Sequence, residues 1–453
     1  MKPKHTMDLT QGPILKQLFL YVVPIFFTTL LQTLYNAADR MVVGRFAGPT
    51  ALAAVGSTGY ASAMITSLII GIATGSNVVI ANFRGARRTD DMRKAMHVSV
   101  LFSVCCGILL MGIGVLAAKP LMELLNTPKE VIDGSVLYMR IIFIGMPFSM
   151  IYNFGASCLR ACGDTRRPMM ILSISGLVNV VLNLIFVICF KMTVDGVALA
   201  TIISQATSAV WVLWILFNPK DEYDLDRKEL KFYKGITGLI IRTGIPMGVN
   251  TALQNFAGLF LQDAINAFGP AVMAGSSASD SITGIIATLP SSMFTGCVSF
   301  AGQCYGAKKY RRLDKLMVCS MCLGGGVTAL LALFCTIFPT LPLSLFTTDP
   351  ASIEAGISKL IIVSWGYLIL CVGHSTLGVL RGMGKAFGPT IVSIFCFTVV
   401  RLLWIWFIFP LHKTPAMLFM CIIVSFACNA AGQFCYFFVS RKKLLQKESA
   451  AMQ

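Results

Sequence analysis

Long uninterrupted apolar runs, separated by short clusters of Gly, Pro and charged residues, set the pattern of this chain. The runs reach about 20 residues or more, the length a helix needs to cross hydrocarbon roughly 30 Å thick, where backbone groups must be satisfied within the segment. They predict twelve spanning helices near residues 14–38, 51–82, 95–118, 132–157, 168–190, 194–217, 236–262, 271–302, 316–338, 355–379, 388–410 and 415–438. Several exceed about 25 residues, which predicts tilt or protrusion from the bilayer. A β-barrel would show alternating segments of about 10 residues instead. The expected class is an all-α polytopic membrane protein.

An internal repeat sharpens this. A shift of 221 or 222 positions pairs Pro24 with Pro246, Gln32 with Gln254, Phe46 with Phe268, and Gly85-Ala86-Arg87-Arg88 with Gly306-Ala307-Lys308-Lys309. The same shift pairs Leu159, Arg160, Gly163 and Pro168 with Leu380, Arg381, Gly384 and Pro389. Each half then holds six spans, an even number, so the halves share one orientation about an axis along the membrane normal. The expected organisation is a first lobe over 1–217, a cytoplasmic linker over 218–235 with mixed acids and bases, a second lobe over 236–440 and a tail over 441–453.

Composition agrees: of 453 residues, 56% are hydrophobic and 13% charged, against roughly 25% charged in a soluble domain. Most of the 37 Lys and Arg fall before the first helix, in the connections after even-numbered helices and in the tail. That bias places both termini in the cytoplasm of a multi-pass cell-membrane protein. The net charge of +17 then reads as topology and contact with anionic lipid, not as nucleic-acid binding, because the clusters are short and adjoin spans. The first run is too long for a cleaved signal peptide, contains Pro24 and lacks a small-residue cleavage pattern.

Two pseudo-equivalent lobes suggest a secondary transporter with substrate near the midplane. No Gly-rich loop ends in Gly-Lys-Ser or Gly-Lys-Thr, and Gly382, Gly384, Lys385 and Gly388 have the wrong spacing for one; an ion gradient is the remaining drive. Within helix 1, Gln32, Asn36 and Asp39 share a face, with Tyr35 four residues before Asp39. An acid there marks an ion or substrate path, unless it sits solvated at the outer helix end or paired with Arg40 or Arg45. Asn179 and Asn183 are four apart in helix 5, and Thr201 in helix 6 can approach them across a hairpin. Such oxygens suit a hard cation, although an Asn pair also serves as interhelical glue.

Other polar residues in spans carry weaker signals. Asn250 and Gln254 share a face of helix 7 and border either a cleft or a packed helix. Asp263 and Asp280 could attract a cation, His374 is a packing residue or a proton relay, and Arg401 needs a carbonyl or an acid, so the roles of these four stay open. Gly71 and Gly75 permit close helix contact. The 15 Cys form no convincing disulfide or zinc framework, Cys319 and Cys322 being a lone pair, and the 23 Met offer an adaptable apolar surface.

The stretch from Asp39 to Gly48, the Gly85-Ala86 turn, the turn from Leu159-Arg160 to Pro168 and the duplicated twelve-span plan resemble the multidrug and toxic compound extrusion family, over about residues 10–440. The resemblance implies two six-helix lobes around a V-shaped central cleft, and export of small amphiphilic, often cationic compounds by antiport with Na⁺ or H⁺, with no other cofactor. It maps the family's first-lobe cation site onto Asp39, Asn179, Asn183 and Thr201, with the Val197 carbonyl as a further ligand, and places Gln32, Tyr35, Asn36, Asn250 and Gln254 at the substrate cleft. Some members carry a second Asp where this chain has Asn183, which leaves Asp39 as the one formal charge. Carboxylates that other members hold in helices 7 and 10 are absent, Gln254 standing at the former. A monomeric transporter and not an enzyme is therefore expected. The alternative is a flippase of lipid-linked oligosaccharide or lipid in the same broad superfamily, which calls for basic residues in the cavity.

Overall fold

A computed structural model of the chain describes residues 6–125, 127–218, 223 and 225–452. Among these residues it is helical, with no strand. We number the long helices α1 (Ile14–Val42), α2 (Gly59–Gly85), α3 (Thr89–Leu124), α4 (Ile132–Ile144 and Met146–Ala161), α5 (Arg166–Leu184), α6 (Val194–Leu216), α7 (Lys234–Asn266), α8 (Pro270–Gly306), α9 (Tyr310–Ile337), α10 (Pro350–Gly382), α11 (Phe387–Ile394, continuing through π turns to Ile408) and α12 (Pro415–Met452). Ten segments are long and apolar enough to cross a membrane, the two parts of α4 form an eleventh, and α7 is the twelfth long helix among the described residues.

Departures from straight helices have local causes. The two parts of α4 meet at 47° around Gly145, with Pro147 in the first turn of the second part. Proline lacks the N–H that would continue the helix, so the run expected as one span over 132–157 bends there. A π turn extends α1 over Val43–Ala47 and another extends α5 over Ile185–Cys189. The first helix thus runs well past its expected end at residue 38, and Asp39 lies inside the helix and not at its outer tip.

The repeat is visible in the backbone. Left-handed conformations recur at Gly48 and Gly269 (φ 89° and 93°), Gly163 and Gly384 (91° and 76°), and Arg87 and Lys308 (57° at both), each pair 221 positions apart. Glycine takes such angles without a Cβ penalty. At the third pair a basic residue occupies the strained position at the same turn in both halves.

The chain forms two compact units, Met1–Asp8 with Val23–Gly248, and Leu9–Val22 with Val249–Gln453. These follow the repeat except at two crossings. Helix α1 changes unit between Val22 and Val23 and α7 between Gly248 and Val249, each within two residues of the paired Pro24 and Pro246.

In the first unit, α2 and α7 touch backbone to backbone. A Cβ on Gly71 would collide with Gly248, and one on Gly75 with Gly244, as expected for glycines that let helices approach. A cluster of Met92, Met96, Leu159, Val212 and Leu216 packs one end of the unit. Tyr223 and Leu225 of the 218–235 segment are buried in it. His97, 1% exposed, holds its ring nitrogens 2.9 and 3.0 Å from the carbonyl oxygens of Arg93 and Asp226, so the described part of that segment docks on the first unit. In the second unit, α8 and α10 pack with similar closeness. A Cβ on Gly275 would meet the carbonyl oxygen of Ser352, and Gly378 and Gly382 abut the backbone of α8.

Alanine at Gly71 or Gly75 is expected to force α2 and α7 apart at a cost of about 1–3 kcal/mol, read as a lower thermal midpoint in detergent. Gly112, exposed on α3, has nothing within 4 Å of a built Cβ. Gly112→Ala is expected to leave the midpoint unchanged or raise it slightly.

Candidate functional site

A cavity of about 120 Å³ lies in the first unit among α1, α4, α5 and α6. Helix geometry explains its wall. Gln32, Tyr35, Asn36 and Asp39 follow one another at spacings of three, one and three and bring one stripe of α1 to it. On α5, Ser175 and Asn179 are four apart, and so are Ser149 and Asn153 on α4, and Thr201 and Gln205 on α6.

A chain of polar contacts runs through the predicted cation residues. Asn183 donates from Nδ2 to Asp39 Oδ1, and lies 3.4 Å from Asn179 Oδ1. Asn179 Nδ2 in turn approaches Thr201 Oγ1 at 3.5 Å, and Thr201 donates to the Val197 carbonyl at 2.9 Å. Asn183 is fully buried and Asn179 nearly so. The carboxamide oxygen of Asn183 is buried without a hydrogen-bond partner. An orphaned carbonyl-type oxygen beside a carboxylate is costly to keep, and a cation or a water would relieve it. Among the described residues no group of three or more His, Cys, Asp or Glu gathers. A cation held here would therefore rest on one carboxylate with amide, hydroxyl and main-chain oxygens, a donor set that hard cations accept.

Tyr35 is fixed by its hydroxyl, which donates to the Ser173 carbonyl at 3.0 Å, and by Gly176, where any Cβ would enter its ring. Gln32 and Asn36 are exposed on the same helix. Asn250 and Gln254 belong to the second unit, where Asn250 is buried with its Oδ1 unpaired. Ser149, Asn153, Ser175, Ser204, Gln205 and Ser208 line the cavity without having been singled out from sequence. Their signal was there, as polar residues at helical spacing inside apolar spans. Isolated Ser and Asn in such spans more often serve packing.

The remaining polar candidates find other partners. Asp280 pairs with Lys359 at 2.5 Å, and the Lys359 ammonium, 3% exposed, also reaches Ser276 Oγ at 2.6 Å. Arg401 lies against the rings of Phe397 and Phe426, at 5.6 and 5.8 Å, where a carbonyl or acid was expected. Aromatic faces hold a guanidinium by cation–π attraction. His374 packs against Phe294, ring centroids 5.8 Å apart, with Nδ1 unpaired. The side chain of Asp263 lies outside the described residues.

Comparison with known proteins places this geometry in context. The family model described as MatE matches residues 24–185 and 246–407. The chain is 26% identical over 401 residues to the probable multidrug resistance protein YoeA of Bacillus subtilis, covering 87% of each. It is 25% identical to the multidrug export protein MepA of Staphylococcus aureus, again over 87% of each chain. Among solved structures, it is similar to an outward-facing multidrug resistance MATE family transporter of the MOP superfamily (TM-score 0.91, 23% identity, 98% of this chain and all of that one). It is also similar to a MOP superfamily transporter from Pyrococcus furiosus (TM-score 0.90, 24% identity, 98% and 99% covered). These structural likenesses extend over the whole fold.

The Asp39–Asn183 contact is testable by a double-mutant cycle. Asn183→Leu alone is expected to lower thermal stability by about 1.5–3 kcal/mol, the scale of a hydrogen bond to a charged group. The same substitution on an Asp39→Leu background should cost clearly less. Additive effects would mean that the two side chains are not coupled.

Proposed function

The chain belongs to the MatE family of multi-pass membrane transporters, and we propose that it exports small amphiphilic, cationic organic compounds by antiport with Na⁺ or H⁺. The observation that carries this reading is the charge of the cavity. Asp39 is the only formally charged residue among those lining it, and the rest of the wall is hydroxyl, carboxamide, tyrosine and apolar surface. Such a wall attracts a cation and tolerates many shapes. Relatives whose names describe multidrug resistance and export are in keeping with it.

In this mechanism the coupling cation sits at Asp39, assisted by oxygens of Asn179, Asn183 and Thr201 and by the Val197 carbonyl. The organic cation enters the same cavity beside Gln32, Tyr35 and Asn36. One carboxylate cannot neutralise both at once, so the two ligands oppose each other. If the coupling cation favours one lobe arrangement and the drug another, each shifts the equilibrium by its differential affinity, which is sufficient for exchange. The moving bodies in this reading are the repeat halves, 1–217 and 236–440, joined by 218–235 and followed by the tail 441–453. Both termini are cytoplasmic by the distribution of Lys and Arg, and the protein works as a monomer. The flippase alternative is disfavoured by the same wall, which offers no Lys or Arg to a phosphate.

Gradient-driven efflux of a fluorescent cationic dye from proteoliposomes tests the proposal, with Na⁺ and H⁺ gradients imposed separately. Asp39→Asn is expected to lower the driven rate by at least about tenfold with expression and gel-filtration profile intact, and unchanged transport would reject the assignment. Under an Na⁺ gradient, Thr201→Ala and Asn179→Ala are expected to raise the Na⁺ concentration for half-maximal rate. If only an H⁺ gradient drives transport, both are expected to retain much more activity than Asp39→Asn, because a proton requires the carboxylate alone.

A further inference from the structure

A second cavity, of about 190 Å³, lies in the second unit, where α9 begins and α12 leaves its apolar stretch. Both ends coincide with the limits of candidate membrane spans, Tyr310–Ile337 and Pro415–Leu444, so the cavity sits at a bilayer surface and not in mid-membrane. Its wall has two halves. Buried Leu313, Met383 and Phe437 form its apolar floor, with the half-buried Tyr310 and Leu444 above them, and Arg311, Arg441 and Asp314 form the charged side.

The charges are unequally matched. Arg441 gives both Nε and Nη2 to Asp314 Oδ2, at 3.0 and 2.7 Å, and is neutralised there. Arg311 has no carboxylate partner among the described residues, and its side chain is exposed at the cavity. The adjoining sequence adds exposed Lys308, Lys315, Lys442 and Lys443. The cavity therefore presents a guanidinium with no carboxylate partner among the described residues, some half-buried apolar surface and a basic rim at the level of lipid headgroups.

We propose that this cavity is a binding site for an acidic phospholipid, with its phosphate on Arg311 and the upper part of its acyl chains against the half-buried Tyr310 and Leu444. A guanidinium engages phosphate through paired N–H donors, and basic pockets between membrane helices are suited to anionic headgroups. The half-buried surface of Tyr310 and Leu444 distinguishes this ligand from free phosphate, which would leave it in water. The Asp314–Arg441 pair closes one side and disfavours a second negative charge, which fits a singly charged headgroup. The site is separate from the Asp39 cavity, and its existence does not depend on what the protein transports.

The test uses the full-length protein in nanodiscs of phosphatidylcholine, with or without a minority of phosphatidylglycerol, read by thermal midpoint and by lipid retention in native mass spectrometry. Wild type is expected to gain stability from phosphatidylglycerol and to retain it. Arg311→Gln is expected to match wild type in phosphatidylcholine alone, since Arg311 is exposed and has no carboxylate partner among the described residues, and to retain phosphatidylglycerol roughly tenfold more weakly. Lys315→Gln, outside the cavity lining, is expected to behave as wild type. Equal retention by wild type and Arg311→Gln would overturn the site, as would an equal loss in Lys315→Gln, which would indicate diffuse surface charge. Full stabilisation by inorganic phosphate without phosphatidylglycerol would overturn the lipid assignment.

Discussion

Hydrocarbon offers no hydrogen-bond partner, so each backbone amide in a span must be bonded inside its own helix. Everything else in this structure works within that limit. Close helix approach comes from removing side chains, as at Gly71 and Gly75 against Gly248 and Gly244. The bend in α4 falls where proline removes a donor anyway, at Pro147. The helices change register through π turns that keep a hydrogen-bonded backbone, as after α1 and α5. Polar side chains inside spans meet the same demand. Most Ser and Thr in the helices return a hydroxyl to the carbonyl three or four residues earlier, Thr28 to Pro24 and Ser99 to Ala95 among them.

A carboxylate cannot satisfy itself in this way. Asp39 is served by Asn183, and Asn183 through Asn179 and Thr201 by the α6 backbone. The linkage ties three helices together around one charge and leaves a single buried oxygen without a donor. Polar networks of this kind are stable when complete and costly when not. That open acceptor lies next to the only formally charged residue lining the cavity.

The two halves share turns and not chemistry. Offsets of 221 or 222 carry Asp39 to Phe260 or Leu261, and Asn183 to Trp404 or Ile405. Asn179 is carried to Val400 or Arg401, and Arg401 lies against two phenylalanine rings. The left-handed turns were kept in both halves because the connections need them, whereas the acid and its amide partners occur in the first half alone. The second half carries a different ion pair, buried Lys359 with the exposed Asp280. Duplication therefore fixed an architecture on which each half could place its own polar groups.

Much of this was legible in the residues. Apolar run length decides that helices span, because the bilayer removes every alternative. The constant offset reveals the repeat, and a carboxylate in an apolar run draws attention because burial there is expensive. Asp39, Asn179, Asn183 and Thr201 could be named because helical spacing fixes which neighbours share a face. Spacing within a helix is silent about which face meets which neighbour. Only the tertiary structure joined Asn183 to Asp39 across 144 positions, matched Asp280 to Lys359, and put Arg401 against rings instead of an acid. It also decided between the two positions that the sequence left open for Asp39, placing it inside the helix. Local sequence determines the helices, since their hydrogen bonds are local; the partners of a buried charge depend on packing between helices distant in the chain, and only the folded molecule specifies that.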